Sequence, residues 1–212
     1  MRITILCSSE AHPINAYLDR WISSQQNKHE ITLLRNKSDL VGGDLLFLIS
    51  CSEIITEVER RKFSKSLVIH ASDLPFGRGW SPHIWQIVQG ATEITVTLLE
   101  AEDKVDSGAI WRKDKVAVPK SSLWDEVNEA VFEAELRLMD FAAENFEKVT
   151  PALQPDDVEP TYFPKRTPED SELDPKKSIE EQFDLIRVCD PDRFPAFFLL
   201  HGQKYTVRLE KV

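Results

Sequence analysis

The sequence predicts an α/β fold, in which a mainly parallel sheet carries helices on both faces. Three observations lead to this prediction. Over the first two-thirds of the chain, short β-rich runs alternate with amphipathic helical patterns. The run 44–50 is apolar throughout, as expected of a strand that is covered on both faces. The chain of 212 residues is also long enough to bury one large core.

The predicted strands are separated by segments with helical periodicity. In the first such segment, apolar residues recur at the spacing of one helical face, namely Ile14, Tyr17, Leu18, Trp21 and Ile22. A short helix is predicted at 53–63, and Pro82 is placed to begin another. The strands are expected at 2–7, 30–35, 44–50, 66–71, 93–101 and 108–118.

A long helix is predicted after the last of these strands. It starts at the capping-box pattern of Ser122 and Asp125 and extends to about Val149. This order of elements is that of a Rossmann-like sheet. The dinucleotide fingerprint GxGxxG is absent, so the order alone does not imply a nicotinamide cofactor.

The composition changes near residue 150, which divides the chain into two predicted parts. Residues 1–150 form the main domain, and 151–212 form a connector and a small C-terminal extension of one helix and a β-hairpin. Six prolines alternate with acidic residues in the connector, which predicts an extended path over the surface. Ser178 and Glu181 form a second capping box, and the hairpin is expected to turn at His201–Gly202.

Composition and charge argue against several classes of protein. The net charge is −10 and no basic stripe is visible, which disfavours a nucleic-acid partner. No apolar run approaches the roughly 20 residues that cross a bilayer, and the run 3–7 is too short for a signal peptide. We therefore expect a cytoplasmic protein. Cys7, Cys51 and Cys189 form no CxxC pair, and the five histidines do not have the spacing of a metal site.

Two side chains with acid–base chemistry lie where a ligand site is expected. His70 ends one predicted strand, and Asp106 follows the next one. Ligands of open α/β sheets bind at the carboxyl ends of strands, so we expect the two residues to share a site. A histidine can take a proton from an amine, and a neighbouring carboxylate can fix its tautomer and stabilise its charged form. A structural hydrogen bond for His70 and a turn role for Asp106 are the alternatives.

The residues around this pair resemble the formyltransferases that use 10-formyltetrahydrofolate. That family carries Asn-x-His-Pro-Ser-Leu-Leu-Pro, then Arg-Gly, Pro, Trp, Gly, Val-Thr and Asp-x-Gly. The matching residues in this sequence are His70, Ser72, Leu74, Pro75, Arg78, Gly79, Pro82, Trp85, Gly90, Val96, Thr97, Asp106 and Gly108. The segments 162–174 and 186–198 are similar to the region after the catalytic domain of amino-sugar formyltransferases.

The resemblance implies an enzyme that transfers a formyl group from 10-formyltetrahydrofolate to the amine of a nucleotide-linked amino sugar, without a metal. His70 and Asp106 would be catalytic, with His70 acting either as a base or as a stabiliser of the oxyanion. The folate would be bound by residues after two strands, namely Cys51, Ser52, Glu53, Ile54, Ile55, Leu99, Glu100, Asp103 and Val105. Ser72, Arg78 and Trp80 would contact the acceptor, although Arg78 and Trp80 also suit a structural role in the loop.

One departure from the family pattern concerns the chemistry directly. Val68 stands where the family has the Asn whose amide is thought to donate a hydrogen bond to the oxyanion. Losing such a donor typically costs on the order of 10²–10³ in rate. Ser72, a backbone N–H or protonated His70 would replace it in an active enzyme, and we favour this reading because His70 and Asp106 are both retained. A slow enzyme and a non-catalytic binding relative are the alternatives.

Other members of the family offer competing functions. Methionyl-tRNA formyltransferases usually carry a further C-terminal barrel and a basic surface, unlike this acidic chain. Formyltransferases of glycinamide ribonucleotide usually keep the Asn. The loop 70–85 is similar to that of formyltransferases of bacterial surface-sugar pathways, including pseudaminic acid synthesis. The resemblance also implies a homodimer, since relatives often dimerise.

Overall fold

The computed structural model describes residues 1–212. Its strands are β1 (Arg2–Leu6), β2 (Glu30–Leu34), β3 (Gly43–Leu48), β4 (Phe63–His70), β5 (Arg78–Gly79), β6 (Glu93–Glu100), β7 (Ile110–Ala117), β8 (Tyr162–Phe163), β9 (Ala196–Leu200) and β10 (Gln203–Val207). Its α-helices are α1 (Ile14–Gln25), α2 (Glu57–Arg60), α3 (Pro82–Val88), α4 (Trp124–Asn145) and α5 (Ile179–Arg187). Two 3₁₀ turns lie at Lys37–Asp39 and Pro168–Ser171.

A six-stranded sheet forms the centre of the molecule and confirms the predicted fold class. Its strand order is β2-β1-β3-β4-β6-β7. The first four strands are parallel, β6 is antiparallel to β4, and β7 is antiparallel to β6. Five of the six strands therefore run in one direction, and β6 alone is reversed. Because β6 and β7 form a hairpin, no crossover helix separates them.

The two faces of the sheet are covered very unequally. On one face, α1, α3 and α4 pack on the strands and form a core cluster of 27 buried residues, which includes Phe47 and Leu67. On the other face, a cluster of only 6 buried residues includes Leu46 and Ile55. The helix predicted at 53–63 is limited to the four residues of α2, so this second face has little helical cover. We call it the thin face.

The long helix α4 begins and ends closer to its centre than predicted. The backbone N–H of Leu123 donates to the Glu126 carboxylate at 2.8 Å, so the capping interaction starts one residue after Ser122. The carbonyl of Ser122 instead accepts a hydrogen bond from Arg187 at 3.2 Å. The helix ends at Asn145 rather than near Val149.

The C-terminal extension has the predicted helix and hairpin. Ser178 caps α5, since its Oγ accepts from the N–H of Glu181 at 3.2 Å. Strands β9 and β10 pair antiparallel around the turn at His201–Gly202. The buried side chain of Arg187 donates to the carbonyls of Pro119 and Ser122, which attaches the extension to the start of α4. No helix is long and apolar enough to span a bilayer.

A buried carboxyl group lies within the larger core. Glu135 of α4 is only 8% exposed, and its neighbours one turn away are the buried Val131, Leu138 and Met139. No hydrogen bond or ion pair compensates its charge. Burial therefore raises the pKa of Glu135 to about 8. Because the unfolded chain releases this proton at lower pH, the native state is penalised progressively as the pH rises from about 4.5 to about 8.

We expect the variant Glu135→Gln to remove this penalty. Wild-type stability should fall between pH 5 and pH 8 by an amount of order a few kcal/mol, and the variant should lose much less. Urea denaturation at a series of pH values measures the difference. Glu129→Gln, at an exposed position of the same helix, is the control. Equal pH slopes for Glu135→Gln and wild type would contradict the assignment.

Candidate active site

The end of β4 delivers His70 to the thin face. Side chains alternate along a strand, and Leu67 belongs to the larger core. Val68 and His70 therefore face the other way, and Val68 packs against the smaller cluster. The N–H of Ser72 donates to the His70 carbonyl at 3.0 Å, which turns the chain out of the strand at this point.

Asp106 reaches the site by a different route from the expected one. Because β6 is antiparallel to β4, its carboxyl end does not meet the carboxyl end of β4: Glu100 pairs with Leu67, whereas His70 pairs with Thr97. The loop 101–109 must turn back to carry Asp106 toward His70. The return is tight at Gly108, where a Cβ would lie 1.9 Å from the Glu100 carbonyl oxygen. Asp106 itself adopts the left-handed region, with φ of 54°.

The two predicted catalytic side chains lie together and are nearly enclosed. His70 Nδ1 is 3.6 Å from Asp106 Oδ2, and the side chains are 8% and 7% exposed. This separation exceeds that of a hydrogen bond. Asp106 Oδ2 accepts from the N–H of Gly79 at 2.8 Å. His70 Nε2 lies 2.8 Å from the Gly77 carbonyl oxygen and must donate to it. Nδ1 is thus the ring atom left free for proton transfer or donation, and it faces a carboxylate.

The loop after His70 is held by the connector. Strand β5 pairs in parallel with β8, and the N–H of Trp80 donates to the Phe163 carbonyl at 3.2 Å. This approach explains Gly79, whose φ is 99° and whose added Cβ would lie 2.5 Å from that same carbonyl oxygen. The connector is extended, as predicted, and it crosses the loop after His70. Gly77 and Gly79 of this loop contact His70 and Asp106.

Arg78, predicted to contact the acceptor, faces the connector. The residue is only 5% exposed. Its guanidinium donates to Gln154 Oε1 at 2.6 Å and to the Tyr162 hydroxyl at 3.4 Å. The bond from Arg78 lowers the pKa of the Tyr162 phenol. These contacts give Arg78 a structural role between the loop and the connector.

Most of the predicted folate-binding residues lie on or beside the thin face. Cys51 packs against the smaller cluster, and burial raises the pKa of its thiol. Ile55 belongs to that cluster, whereas Ser52 and Ile54 are exposed. The Lys37 N–H donates to the Glu53 carboxylate at 3.0 Å, which holds Glu53 at the edge of the segment.

The second predicted folate-binding segment divides between the two faces. Leu99 pairs with Val68 and shares its face. Glu100 pairs with Leu67 and lies on the opposite face, where its carboxylate accepts from Lys65 at 2.6 Å. Asp103 and Val105 are exposed in the loop that follows. Glu100 can therefore contribute to a slot on the thin face only through its backbone.

The remaining predicted substrate contacts differ in accessibility. Trp80 is 43% exposed, and the Lys165 ammonium lies 4.9 Å from the centre of its ring. Ser72 is buried, and its Oγ has no hydrogen-bond partner.

Two polar grooves run along α4, and neither is lined by His70 or Asp106. The structure contains no group of three or more His, Cys, Asp or Glu side chains arranged to hold a metal ion.

Several side chains that sequence reasoning passed over help to build the site. Gln154 donates to the carbonyls of Asp106 and Gly108. Arg60 donates to the Ile55 carbonyl and to the Asp103 carboxylate, and thereby joins the two predicted folate-binding segments. Neither residue shows a sequence signal, because the contacts of Gln154 with the loop and of Arg60 with Asp103 each span more than forty residues.

A partly buried histidine also lies close to the pair. The Nδ1 atom of His83 is buried and has no hydrogen-bond partner. Burial, together with the nearby His70, His12 and Arg166, lowers the pKa of His83 to about 4. His83 is therefore neutral at pH 7 and adds no charge beside His70.

Known proteins resemble this chain in part of its sequence and in its fold. Residues 39–142, which include both His70 and Asp106, match the formyl transferase family model. The chain is similar to a methionyl-tRNA formyltransferase from Clostridium thermocellum, with 22% identity, a TM-score of 0.80, and coverage of 98% of this chain and 97% of that one. It is also similar to a sugar N-formyltransferase from a Shewanella species, with 17% identity, a TM-score of 0.75, and coverage of 100% and 99%.

A third similar structure contains a folate. It is HypX from Aquifex aeolicus in complex with tetrahydrofolic acid, with 22% identity, a TM-score of 0.81, and coverage of 96% of this chain and 36% of that chain. The His–Asp pair on one face of the Rossmann-like sheet thus lies within the segment that matches the family model. The match over residues 39–142 and the similar structures support the enzyme class predicted from the sequence, a formyltransferase dependent on 10-formyltetrahydrofolate.

The close approach at Gly79 predicts a measurable cost for a side chain there. Gly79→Ala combines a positive φ with a 2.5 Å contact to the Phe163 carbonyl. Gly90→Ala has a similar φ of 93° but no atom within 4 Å, so it is the matched control. We expect Gly79→Ala to lower stability by at least about 1 kcal/mol more than Gly90→Ala in urea denaturation. Equal losses would mean that the contact with the connector contributes nothing.

Proposed function

We propose that this protein transfers the formyl group of 10-formyltetrahydrofolate to the free amine of a nucleotide-linked amino sugar. The observation that carries the proposal is the enclosed His70–Asp106 pair within the formyl transferase domain. The similarity to a sugar N-formyltransferase over the full length of both chains supports this class of acceptor. The products are an N-formyl amino sugar and tetrahydrofolate.

The reaction exchanges one acyl bond for another. Bound 10-formyltetrahydrofolate supplies an activated formyl carbon. The acceptor amine attacks that carbon, negative charge develops on the formyl oxygen, and the bond to the folate nitrogen then breaks. The amine must lose a proton and the departing nitrogen must gain one. Asp106 lies beside His70 and is positioned to pass this proton on.

The contacts of His70 favour one of its two expected roles. With Nε2 donating to the Gly77 carbonyl, a neutral ring would turn the Nδ1 lone pair toward the Asp106 carboxylate. To donate from Nδ1 as well, the ring must carry a proton on both nitrogens. The 3.6 Å separation exceeds that of a hydrogen bond, so an Nδ1–H is not committed to Asp106 and can meet the formyl oxygen. We therefore favour His70 as the stabiliser of the oxyanion, which makes it a replacement for the amide missing at Val68.

The thin face fits the flat ring system of the donor. Cys51, Val68 and Ile55 form an apolar wall there, and Ile54, next to Ile55 in the chain, is exposed. A neutral thiol and aliphatic side chains suit a planar heterocycle, while backbone groups of 51–55 remain to pair with its polar edge. These residues would hold the donor with its formyl group toward His70.

Trp80 and Lys165 are the side chains best placed for the nucleotide of the acceptor. The exposed indole offers a stacking surface two residues beyond Arg78, and the Lys165 ammonium beside it suits a phosphate. Ser72, in contrast, is buried, and we expect it to support the loop. Arg78 is assigned to positioning rather than to acceptor binding.

Two alternatives lead to different results in the same assay. A catalytically impaired relative would bind folate and sugar nucleotide without forming product. A different amine acceptor is the other alternative, namely methionyl-tRNA, the acceptor named for one of the similar structures. Because this chain covers 97% of the Clostridium methionyl-tRNA formyltransferase chain, chain length does not separate the two acceptor classes. The net charge of −10 still disfavours tRNA.

Homodimer formation, cytoplasmic location and a surface-glycan pathway remain parts of the proposal. The hairpin of β9 and β10 exposes Leu199, Leu200 and Tyr205, which supports association of two copies at this surface. The three cysteines are free, as is usual in a reducing compartment. A pseudaminic acid pathway is supported only by the resemblance of the loop after His70.

The acceptor is tested directly by mass spectrometry. The protein is incubated with 10-formyltetrahydrofolate and, separately, with a panel of nucleotide-linked amino sugars or with methionyl-tRNA. We expect one sugar to gain the mass of a formyl group. Formylation of methionyl-tRNA alone would replace the proposed acceptor, and binding of both ligands without product in every arm would favour the impaired relative.

We expect His70→Asn and Asp106→Asn each to lower turnover by about 100-fold or more, because each removes a group that meets the developing charge or the moving proton. Turnover of the formylated sugar is the measurement. His201→Asn, at an exposed turn with a φ of 51°, and the exposed Asp156→Asn are the matched controls. Wild-type turnover in either site variant would remove that residue from the mechanism.

The substitution Val68→Asn tests whether a donor is missing. We expect no gain in turnover, because His70 already supplies the hydrogen bond and an amide would replace a side chain of the apolar wall. Steady-state kinetics at saturating 10-formyltetrahydrofolate measures the turnover of the variant. A large increase would mean that the native site lacks an effective donor.

A further inference from the structure

Gln154 connects the proline-rich connector to the loop that carries Asp106. Its Nε2 donates to the carbonyl of Asp106 at 2.8 Å and to that of Gly108 at 2.9 Å. Its Oε1 accepts from the guanidinium of Arg78 at 2.6 Å. Gly79, which follows Arg78 in the chain, donates its N–H to the Asp106 carboxylate at 2.8 Å. These four contacts close a ring through the loop, the connector and the segment after His70.

The ring holds a conformation that the loop would not adopt readily by itself. Asp106 has a positive φ of 54°, which is uncommon for a residue with a side chain. A wrong backbone conformation at this position would turn the carboxylate away from His70. By binding the carbonyls on both sides of this turn, Gln154 fixes the direction of the Asp106 side chain.

Arg78 makes the position of Gln154 specific. The guanidinium is buried and has no carboxylate partner, and its shortest hydrogen bond is to the amide oxygen of Gln154. A charge-assisted bond of this kind is stronger than one between neutral groups. With Oε1 held by Arg78, both amide protons of Gln154 point to the loop carbonyls.

We propose that Gln154 is a positioning residue for formyl transfer, which acts by holding Asp106 against His70. The inference rests on the proposed function of that pair. It gives the connector a part in the chemistry, although its composition is that of a surface linker. Gln154 makes no hydrogen bond to His70 or to the Asp106 carboxylate, so it acts on the pair only through the backbone of the loop.

The variant Gln154→Glu tests the proposal. It keeps the size of the side chain and its acceptor for Arg78 but removes both donors to the loop. We expect kcat to fall between about tenfold and 100-fold with little change in the KM of either substrate, because displacement of a reacting group affects the chemical step. Gln154→Leu removes the same donors without adding charge, and it also removes the acceptor for Arg78, so it should lower kcat at least as much. Gln182→Glu, at another amide that bonds several backbone groups, is the control.

A double-mutant cycle separates positioning from general stabilisation. If Gln154 acts through Asp106, Gln154→Glu should have almost no further effect on kcat in the Asp106→Asn background. Additive losses would overturn the proposal, as would a wild-type kcat in both Gln154 variants. Thermal unfolding of each variant establishes that it is folded at the assay temperature. If Asp106→Asn alone leaves turnover unchanged, the proposed function of the pair fails, and that result is distinct from a failure confined to Gln154.

Discussion

The candidate site depends on one constraint: the loop 101–109 must turn back toward the end of β4. Since β6 runs against the other strands, a residue that follows it would lie far from the end of β4 unless the chain turned back. The turn is possible because Gly108 lies against the Glu100 carbonyl and Asp106 adopts a left-handed conformation. Two ionisable groups are enclosed as a result. The Gly77 carbonyl and the Gly79 N–H that meet them offset part of the cost of burying them.

The large core and the candidate site lie on opposite faces of the sheet. The large core under α1, α3 and α4 contains most of the buried apolar residues and holds the strands in place. The thin face carries His70, Val68 and the small cluster, with α2 as its only helix. A face that is not fully covered by its own chain has room for a flat ligand, whereas the opposite face does not. Glu135 shows the cost of a carboxyl group on the well-covered side, since burial there raises its pKa to about 8.

The connector belongs to the site despite its composition. Its prolines and acidic residues predict an exposed linker, yet its backbone pairs with β5 and its side chains bond the loops on both sides of the His–Asp pair. An extended segment without regular structure can do this because its backbone groups are free to pair with neighbouring loops. Gly79 is the matching feature on the other side, since only a residue without a Cβ allows this approach.

The sequence by itself determined the fold class, the order of the main elements, the hairpin and the choice of His70 and Asp106. Periodicity, capping patterns and a motif of fixed spacing are local properties, and these predictions depend on nothing else. Tertiary structure decided the rest: the reversal of β6, the route of Asp106, the inward direction of Arg78, the face of Glu100, and the roles of Gln154 and Arg60. Each of these depends on contacts between groups from separate segments of the folded chain, and no local pattern of residue types encodes such contacts.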